Sequence, residues 1–205
     1  MLNPRLANAS GRFIVSSVAE NPFPHDRPIQ LQGQLLLADP SLRGSCFHRS
    51  VVLVAEHAAD QGAFGLILNH PLGKSVGDFL EGDEFSPLQK LEVYDGGPVG
   101  HDQLTFSSFW WNKQSGLRWA LRLSVEDAID HAHRSGRVVR AFVGYSGWTA
   151  GQLEHELRRN SWVTAPPSAD LLGCSHDLNL WAGLMREVSP LHRILADSPE
   201  DPTLN

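Results

Sequence analysis

The stretch VVLVAEHAADQGAFGLIL, residues 51–68, holds two apolar runs separated by a short polar connection. The first run, 51–55, is continuous and rich in β-branched residues, which is typical of a strand covered on both faces. The second run, 63–68, has the same character. Because the connection between them is short and contains Asp60-Gln61-Gly62, the pattern predicts a β-hairpin.

Further strands are predicted on both sides of the hairpin. A short apolar strand over Leu35–Ala38 is stopped by Asp39-Pro40. Other predicted strands follow the hairpin, over residues 91–94, 104–109, 117–123 and 138–145, the last of them broken by Gly147.

One helix is marked clearly at its start. Ser124 is a good N-cap residue, and apolar residues then follow at helical spacing at Val125, Ala128, Ile129 and Ala132. Other helices are predicted over residues 75–80, 152–159 and 177–188. Strands dominate the first part of the chain and helices are inserted later, without a regular alternation of the two. The predicted class is therefore mixed α+β.

The length of 205 residues corresponds to one domain. Residues 1–30 are predicted to be an N-terminal extension that is partly flexible, because three prolines lie between Asn21 and Pro28. Residues 31–196 form the predicted domain. Residues 197–205 are polar, contain two prolines, and are predicted to be a flexible C-terminal tail.

The formal charge of −6 and the pI near 5.9 argue against a broad basic surface for nucleic acid. No apolar run is long enough to span a bilayer, and the start of the chain lacks the pattern of an export signal, so we expect no membrane partner and a cytoplasmic location. Cys46 and Cys174 are far apart in sequence and have no zinc spacing. Both are expected to be buried free thiols.

Three short motifs each match part of a known catalytic pattern but lack a residue that the pattern requires. Gly73-Lys74-Ser75 lacks the earlier glycine of a phosphate-binding loop. Ser146 lies in a turn like a nucleophile elbow, but Trp148 occupies the position where that elbow needs glycine. His155-Glu156 has no second histidine one helical turn later. The sequence therefore predicts no catalytic residue, no metal ligand set and no cofactor.

Polar residues near the ends of the predicted hairpin are the best candidates for a ligand site. Glu56 and His57 end its first strand, and Asn69 follows its second strand. Strand ends of this kind can converge on a site, and Glu154 is the fourth residue expected there. A purely structural alternative stays open, in which His57 and Asn69 cap turns through local hydrogen bonds.

Glycines Gly96 and Gly97 suggest two alternatives. The simpler one is a tight turn that needs positive φ at a glycine. The other is a nest of backbone N–H groups that binds an anion.

Several blocks of the chain together resemble the AlgH/YqgE family of bacterial proteins. They occur in the family's order, as residues 31–42, 47–54, 56–57, 62–69, 96–99, 144–148 and 151–157. The resemblance implies that residues 31–196 form a compact α+β domain, with a strongly bent mixed sheet that closes toward a pseudo-barrel and helices packed outside. It brings no catalytic residues, because none is established for the family. Some members are named as regulators.

Two hypotheses about function follow. The first is a non-enzymatic cytoplasmic protein that regulates or binds an unidentified protein partner. The alternative is a small-molecule-binding protein or an unrecognised enzyme, with its site at the strand ends near His57 and Asn69. The sequence assigns neither an oligomeric state nor a particular ligand.

Overall fold

The computed structural model describes residues 30–173 and 176–197. The strands in this part of the chain are β1 (Leu35–Ala38), β2 (Val51–Ala58), β3 (Gly62–Ile67), β4 (Pro71–Ser75), β5 (Glu92–Asp95), β6 (Val99–Asn112), β7 (Gly116–Leu123), β8 (Arg137–Trp148) and β9 (Trp162–Ala165). The α-helices are α1 (Val125–His133), α2 (Gln152–Arg158), α3 (Leu178–Val188) and α4 (Pro190–Asp197). Short 3-10 turns connect several of these elements.

The nine strands form one sheet in the order β4-β5-β8-β3-β2-β1-β9, with β6 paired to both β8 and β7. β8 is the central strand. Along one edge it pairs antiparallel with β6. Along the other edge it pairs parallel with β5 and then antiparallel with β3. The sheet is a strongly curled half-barrel in a mixed α+β domain, which confirms the predicted fold class.

The predicted hairpin is present. β2 and β3 pair antiparallel, with Leu53 opposite Leu66. Residues 51–55 are fully buried, as expected of a strand covered on both faces. Leu53 packs in one core cluster, whereas Val52 and Val54 pack in another on the opposite face.

The inner face of the curl carries the largest core cluster. This cluster takes side chains from every strand except β4. Helix α3 covers it with Trp181 and Met185, and the Trp181 indole donates to the Ala38 carbonyl at 2.9 Å. Two smaller clusters lie on the outer face, one packed beneath α2 around Leu153 and one beneath α1 around Ala128.

Helix α1 begins as predicted, because the Ser124 hydroxyl accepts from the Asp127 amide at 3.0 Å. The predicted helix over residues 75–80 is wrong. Residues 71–75 instead pair with β5 as strand β4, and only a 3-10 turn, Val76–Asp78, follows. A Ser75–Asp78 capping box stabilises that single turn without a longer helix behind it.

Gly147 does not end the strand before it, as the sequence had suggested. It pairs with Phe64 of β3, and β8 continues to Trp148. Strands β4 and β9 and helix α4 are additional to the predicted elements. β9 has four residues, which is too short to show a periodicity.

Cys46 is exposed, contrary to the expectation of a buried thiol, because it lies in the polar loop between β1 and β2. Cys174 lies outside the described residues, as do the predicted extension and tail apart from Gln30 and Asp197. No described helix is long and apolar enough to cross a membrane.

Candidate functional site

Two of the predicted site residues meet. His57, near the end of β2, and Glu154, in the first turn of α2, are hydrogen-bonded, with 2.8 Å between Nε2 and Oε1. The two side chains are only 3% and 16% exposed. The pair therefore links α2 to the central hairpin and offers little surface to a ligand.

Glu56 and Asn69 do not join this pair. Glu56 is exposed and faces the opposite side of β2 from His57, because successive side chains of a strand alternate. Asn69 is fully buried at the other end of the hairpin, where it accepts from the Val51 amide at 2.7 Å and donates to the Arg49 carbonyl at 2.9 Å. The expected convergence of four groups is thus wrong for these two residues, and Asn69 caps backbone instead.

Gly96 and Gly97 do not form an open nest. The Gly96 amide donates to the Val143 carbonyl at 2.8 Å, and the Gly97 amide donates to the Asp95 carboxylate at 2.9 Å. Neither N–H remains for an anion. Glycine is required at Gly96 because a Cβ there would lie 2.3 Å from the carbonyl oxygen of Gly144 on the neighbouring strand.

A second acid of α2 holds the same helix in place. One carboxylate oxygen of Glu156 accepts from two buried indoles, Trp148 at 2.9 Å and Trp162 at 2.8 Å. These tryptophans lie on β8 and β9, so Glu156 ties α2 to two strands. We call the group His57, Glu154, Glu156, Trp148 and Trp162 the α2 clamp. Its members form two hydrogen-bonded groups, His57 with Glu154 and Glu156 with the two indoles, and both groups attach α2 to the sheet.

A buried imidazole provides another internal link. His176, before α3, contacts Arg140 of β8 and the carbonyl oxygens of Leu68, at 3.1 Å, and Leu171. Burial, and then the charge of Arg140, lower the pKa of His176 to about 4. The imidazole is therefore neutral at neutral pH, and it fastens the start of α3 to the sheet.

A cleft of about 360 Å³ opens on the inner face, where the end of β3 meets β6, β7 and β8. We call it the inner cleft. Its lining is formed by Phe64, Leu66, Gly100, Gln103, Leu104, Thr105, Ser107, Leu121, Arg122, Leu123, Gly144 and Tyr145. A volume of this size falls within the range of small-molecule sites.

A β-bulge shapes one wall of the inner cleft. Phe106 pairs with Leu123 and Ser108 pairs with Ala120, so Leu121 and Arg122 together oppose the single residue Ser107. Arg122 adopts a left-handed backbone with φ +53°, which a non-glycine residue seldom does. Its guanidinium carbon lies 4.9 Å from the centre of the Phe64 ring. Bulges of this kind redirect side chains next to functional sites.

Ser107 is the notable polar residue of the inner cleft. It is 1% exposed, and its hydroxyl has no hydrogen-bond partner among the described residues. Ser50 and Ser108 share this property but do not line the cleft. A buried hydroxyl without a partner destabilises a fold by about 1–3 kcal/mol, and the Ser107 oxygen is closed off from the open space of the cleft.

The inner cleft has the chemistry of a binding site. Its lining contains no imidazole, thiol, carboxylate or amine, and its ionisable groups are Arg122 and Tyr145. His101 lies beside Gly144, but its Nε2 contacts the Gly97 carbonyl at 2.6 Å and the Asp95 carboxylate at 3.4 Å. Within the described ranges, no three His, Cys, Asp or Glu residues lie close enough together to hold a metal ion.

A larger cleft of about 620 Å³ lies between β7 and the segment before β1. Trp111, Trp119 and Arg118 line it on one side and Gln32 and Gln34 on the other. None of the buried hydroxyls without a partner lines it. It therefore lacks the feature that marks the inner cleft.

Sequence reasoning missed the inner cleft, although one signal was present. The segment FSSFWW, residues 106–111, places two serines inside an otherwise apolar strand. The bulge at Arg122 leaves no comparable mark in the sequence.

Comparison with known proteins places this chain in a family. The family model DUF179, described as AlgH-like, matches residues 35–192. A UPF0301 protein of Thermobifida fusca is 33% identical over 198 residues, which cover 88% of this chain and 98% of that protein. A UPF0301 protein of Shewanella baltica is 37% identical over 155 residues, covering 69% of this chain and 82% of the relative.

Two solved structures share the fold. A protein of Corynebacterium diphtheriae aligns with a TM-score of 0.64 at 23% identity, over 84% of this chain and 95% of that one. The AlgH protein of Pseudomonas aeruginosa aligns with a TM-score of 0.57 at 26% identity, over 86% of this chain and 99% of that one. From its sequence and its fold alike, the chain belongs to the AlgH-like family, also called UPF0301.

Proposed function

We propose that this chain is a non-enzymatic regulatory protein of the cytoplasm that binds a small molecule in the inner cleft. The observation that carries the proposal is the cleft itself, a space of about 360 Å³ with the exposed Arg122 at its edge and polar and apolar side chains along its walls. Clefts of this size that combine apolar walls with a few polar groups are typical of small-molecule sites. The exposed free thiol of Cys46 is compatible with a reducing compartment.

Binding without chemical conversion is favoured by the residues of the cleft. General acid–base catalysis needs a group that exchanges protons near neutral pH, usually an imidazole or a carboxylate. The lining supplies neither of these groups. A bound molecule would therefore act as a signal, and its effect would pass to a partner protein.

Exposed apolar side chains on α4 favour a protein partner as the second part of this function. Leu191 is 64% exposed and Ile194 is 67% exposed. Residues three apart on a helix lie on the same face, and a contiguous apolar patch on a protein surface marks an interaction site. Replacing both with glutamate is expected to abolish complex formation with a regulated partner and to leave ligand binding in the inner cleft unchanged.

A thermal-shift screen of the full chain tests ligand binding. The panel consists of nucleotides, divalent metals, coenzymes and central metabolites. A ligand present at about 100 times its Kd adds about 2.7 kcal/mol to the free energy of unfolding, which raises the Tm of a domain of this size by roughly 5–10 °C.

Two variants assign any shift to the cleft. Arg122→Gln should reduce the shift, because it removes the charge at the edge of the cleft. Arg118→Gln is the matched control, since Arg118 is an exposed arginine of the same strand that lines the larger cleft instead. A full shift in Arg122→Gln would contradict the assigned site, and a panel without any shift would count against ligand binding.

A further inference from the structure

We propose that a pocket beside Arg49, separate from the inner cleft, binds the phosphoryl group of a small phosphate ester. The pocket has a volume of about 210 Å³ and lies between the loop before β2 and helices α3 and α4. We call it the arginine pocket. None of its residues lines the inner cleft, so the inference does not depend on the ligand site proposed above. Its lining is formed by Pro40, Arg43, His48, Arg49, Trp181 and Leu195.

The ionisable groups of the arginine pocket favour an anion. Two guanidinium groups and one imidazole line it, and its lining contains no carboxylate. Arg43 is exposed, and His48 and Arg49 are half-buried, so these side chains border space that is open to solvent. Each of the three makes other contacts as well. Because a guanidinium carries five N–H groups, it can bind an anion in addition to the partners that it already has.

The number of charges selects a phosphoryl group over a carboxylate. A phosphate monoester carries about two negative charges at neutral pH, and its three terminal oxygens accept strong hydrogen bonds. Two arginines match that charge, and arginine binds phosphate oxygens in pairs through parallel N–H groups. A monocarboxylate has one charge and therefore compensates only one of the two guanidinium groups.

The backbone that carries Arg49 is held by the segment after β3. Arg49 has a left-handed backbone with φ +52°, which is uncommon outside glycine. The buried Asn69 donates from its amide to the Arg49 carbonyl at 2.9 Å and accepts from the Val51 amide at 2.7 Å. The Nε2 atom of His70 lies 3.2 Å from the His48 carbonyl oxygen. Asn69 and His70 thus act as positioning residues for the two side chains that the loop contributes next to each other.

Trp181 orders the Arg49 side chain itself. The guanidinium carbon of Arg49 lies 5.3 Å from the centre of the Trp181 ring. This indole is 1% exposed and donates to the Ala38 carbonyl at 2.9 Å, so it provides a rigid wall. Stacking on an aromatic ring uses the flat face of a guanidinium, and hydrogen bonds to an anion form at its edge. An arginine held in this way loses little further conformational freedom when an anion binds.

The size of the arginine pocket limits the ester to a small one. A volume of 210 Å³ corresponds to about seven water molecules at roughly 30 Å³ each. A phosphoryl group with an ester of about two to four carbons occupies that space. Pro40 and Leu195 supply apolar contacts for those carbons. A nucleoside attached to the phosphoryl group would have to remain outside the pocket.

The test is an NMR titration of the ¹⁵N-labelled full chain in a phosphate-free buffer of constant ionic strength. The probes are glycerol phosphate, inorganic phosphate and acetate. Glycerol phosphate should bind most tightly, because its carbons contact the apolar part of the pocket. Acetate should bind about tenfold more weakly or less, because it lacks the second charge-assisted pair. Shifted amide signals should centre on residues 43–50.

A second measurement separates a soluble ester from a lipid head group with the same phosphoryl chemistry. The full chain is sedimented with phosphatidylcholine vesicles that contain phosphatidic acid. It should stay in the supernatant, because the formal charge of −6 opposes binding to an anionic surface. Sedimentation with the vesicles, without binding of glycerol phosphate, would overturn the soluble ester as the ligand.

Substitutions assign binding to the arginine pocket. Arg43→Gln and Arg49→Gln should each weaken the binding of glycerol phosphate about tenfold or more. Arg43 is exposed, so its substitution tests binding with little effect on the fold. Arg49→Lys keeps the charge but cannot bind two oxygens at once from a stacked position, so it should also weaken binding. Arg158→Gln is the matched control, because Arg158 is an exposed arginine of α2 outside the pocket, and it should bind as the unmodified protein does.

Three results would overturn the inference. The first is equal affinity for acetate and glycerol phosphate, and the second is unchanged affinity in both Arg43→Gln and Arg49→Gln. The third is an equal loss of affinity in Arg158→Gln, which would show attraction by surface charge in general. None of these results bears on the inner cleft, which is tested by Arg122→Gln in the thermal-shift screen.

Discussion

The α2 clamp and the inner cleft both place polar side chains against apolar surroundings, and they treat those side chains in opposite ways. In the clamp, Glu156 bonds to two indoles and Glu154 bonds to His57. In the cleft, the Ser107 hydroxyl has no partner in the described structure and Arg122 has no acidic partner there. A buried polar group that is bonded within the protein holds the fold, whereas a buried hydroxyl without a partner lowers its stability.

The difference also explains why the most recognisable motif of the sequence is uninformative about function. The segments Gly144-Tyr145-Ser146-Gly147-Trp148 and 151–157 carry much of the resemblance to the family. Trp148, Glu154 and Glu156 from these segments all belong to the clamp. Their pattern therefore follows from the packing of α2 on the sheet and need not reflect a ligand.

The largest effect is expected for Glu156→Ala, which breaks the clamp. It would leave the indole N–H groups of Trp148 and Trp162 buried without an acceptor, at a cost of about 1–3 kcal/mol each. We expect the free energy of unfolding, measured by urea denaturation, to fall by about 4 kcal/mol. Glu156→Gln retains an acceptor oxygen and should lose about 1 kcal/mol. Loss of less than 1 kcal/mol in Glu156→Ala would contradict the structural role of the clamp.

Gly96→Ala should come next in magnitude. Its Cβ would lie 2.3 Å from the Gly144 carbonyl oxygen, so two strands would have to separate locally. We expect a loss of about 3 kcal/mol in the same denaturation experiment. Gly183→Ala is the control, since a Cβ there meets no atom within 4 Å and alanine favours helix α3. It should leave stability unchanged or raise it by up to about 1 kcal/mol. If Gly96→Ala left the free energy of unfolding unchanged, the tight packing of this turn would be wrong and an anion-binding loop would again be possible.

The buried contacts of His176 predict that the free energy of unfolding depends on pH. The pKa of His176 is about 4 in the folded protein, against an ordinary value of 6.5. Between these two pH values the unfolded chain binds more protons than the folded chain, so stability is complete above about pH 6.5 and falls as the pH drops toward 4. The contribution of this residue is up to about 3 kcal/mol.

The measurement for this prediction is a series of urea denaturations between pH 4 and pH 7.5 on the unmodified protein and on His176→Gln. The carboxyl groups of the protein titrate equally in both variants. The difference between the two curves of unfolding free energy against pH therefore isolates His176. The difference should be largest at pH 7 and shrink toward pH 4. A difference that does not change with pH would show that this imidazole is not held neutral by the fold.

The sequence was sufficient to predict the secondary-structure elements that are marked by a local pattern of residues. The hairpin of β2 and β3 was predicted because its two apolar runs are long and close together, and α1 was predicted because Ser124 marks its start. The strand β4 was missed because residues 71–75 are almost entirely exposed and pair along one edge only, with β5. Their composition therefore gives no sign of strand burial.

The candidate site depended on contacts that are distant in sequence. His57 and Glu154 are neighbours as predicted, but their burial as a hydrogen-bonded pair follows from where α2 packs. Asn69 was misplaced because the antiparallel register puts it beside Val51, at the far end of the hairpin from His57. The inner cleft arises from a register shift between β6 and β7, which no local propensity encodes.

The most direct test of the contrast between clamp and cleft is the free energy of unfolding of Ser107→Ala without any ligand. Because the Ser107 hydroxyl has no partner in the described structure, its removal should leave stability unchanged or raise it by up to about 1 kcal/mol. Ser146→Ala, which removes an equally buried hydroxyl that is bonded to Gly96, should lower stability by about 1 kcal/mol. A loss in Ser107→Ala as large as that in Ser146→Ala would show that the Ser107 hydroxyl is satisfied within the fold. The contrast between the α2 clamp and the inner cleft would then be wrong.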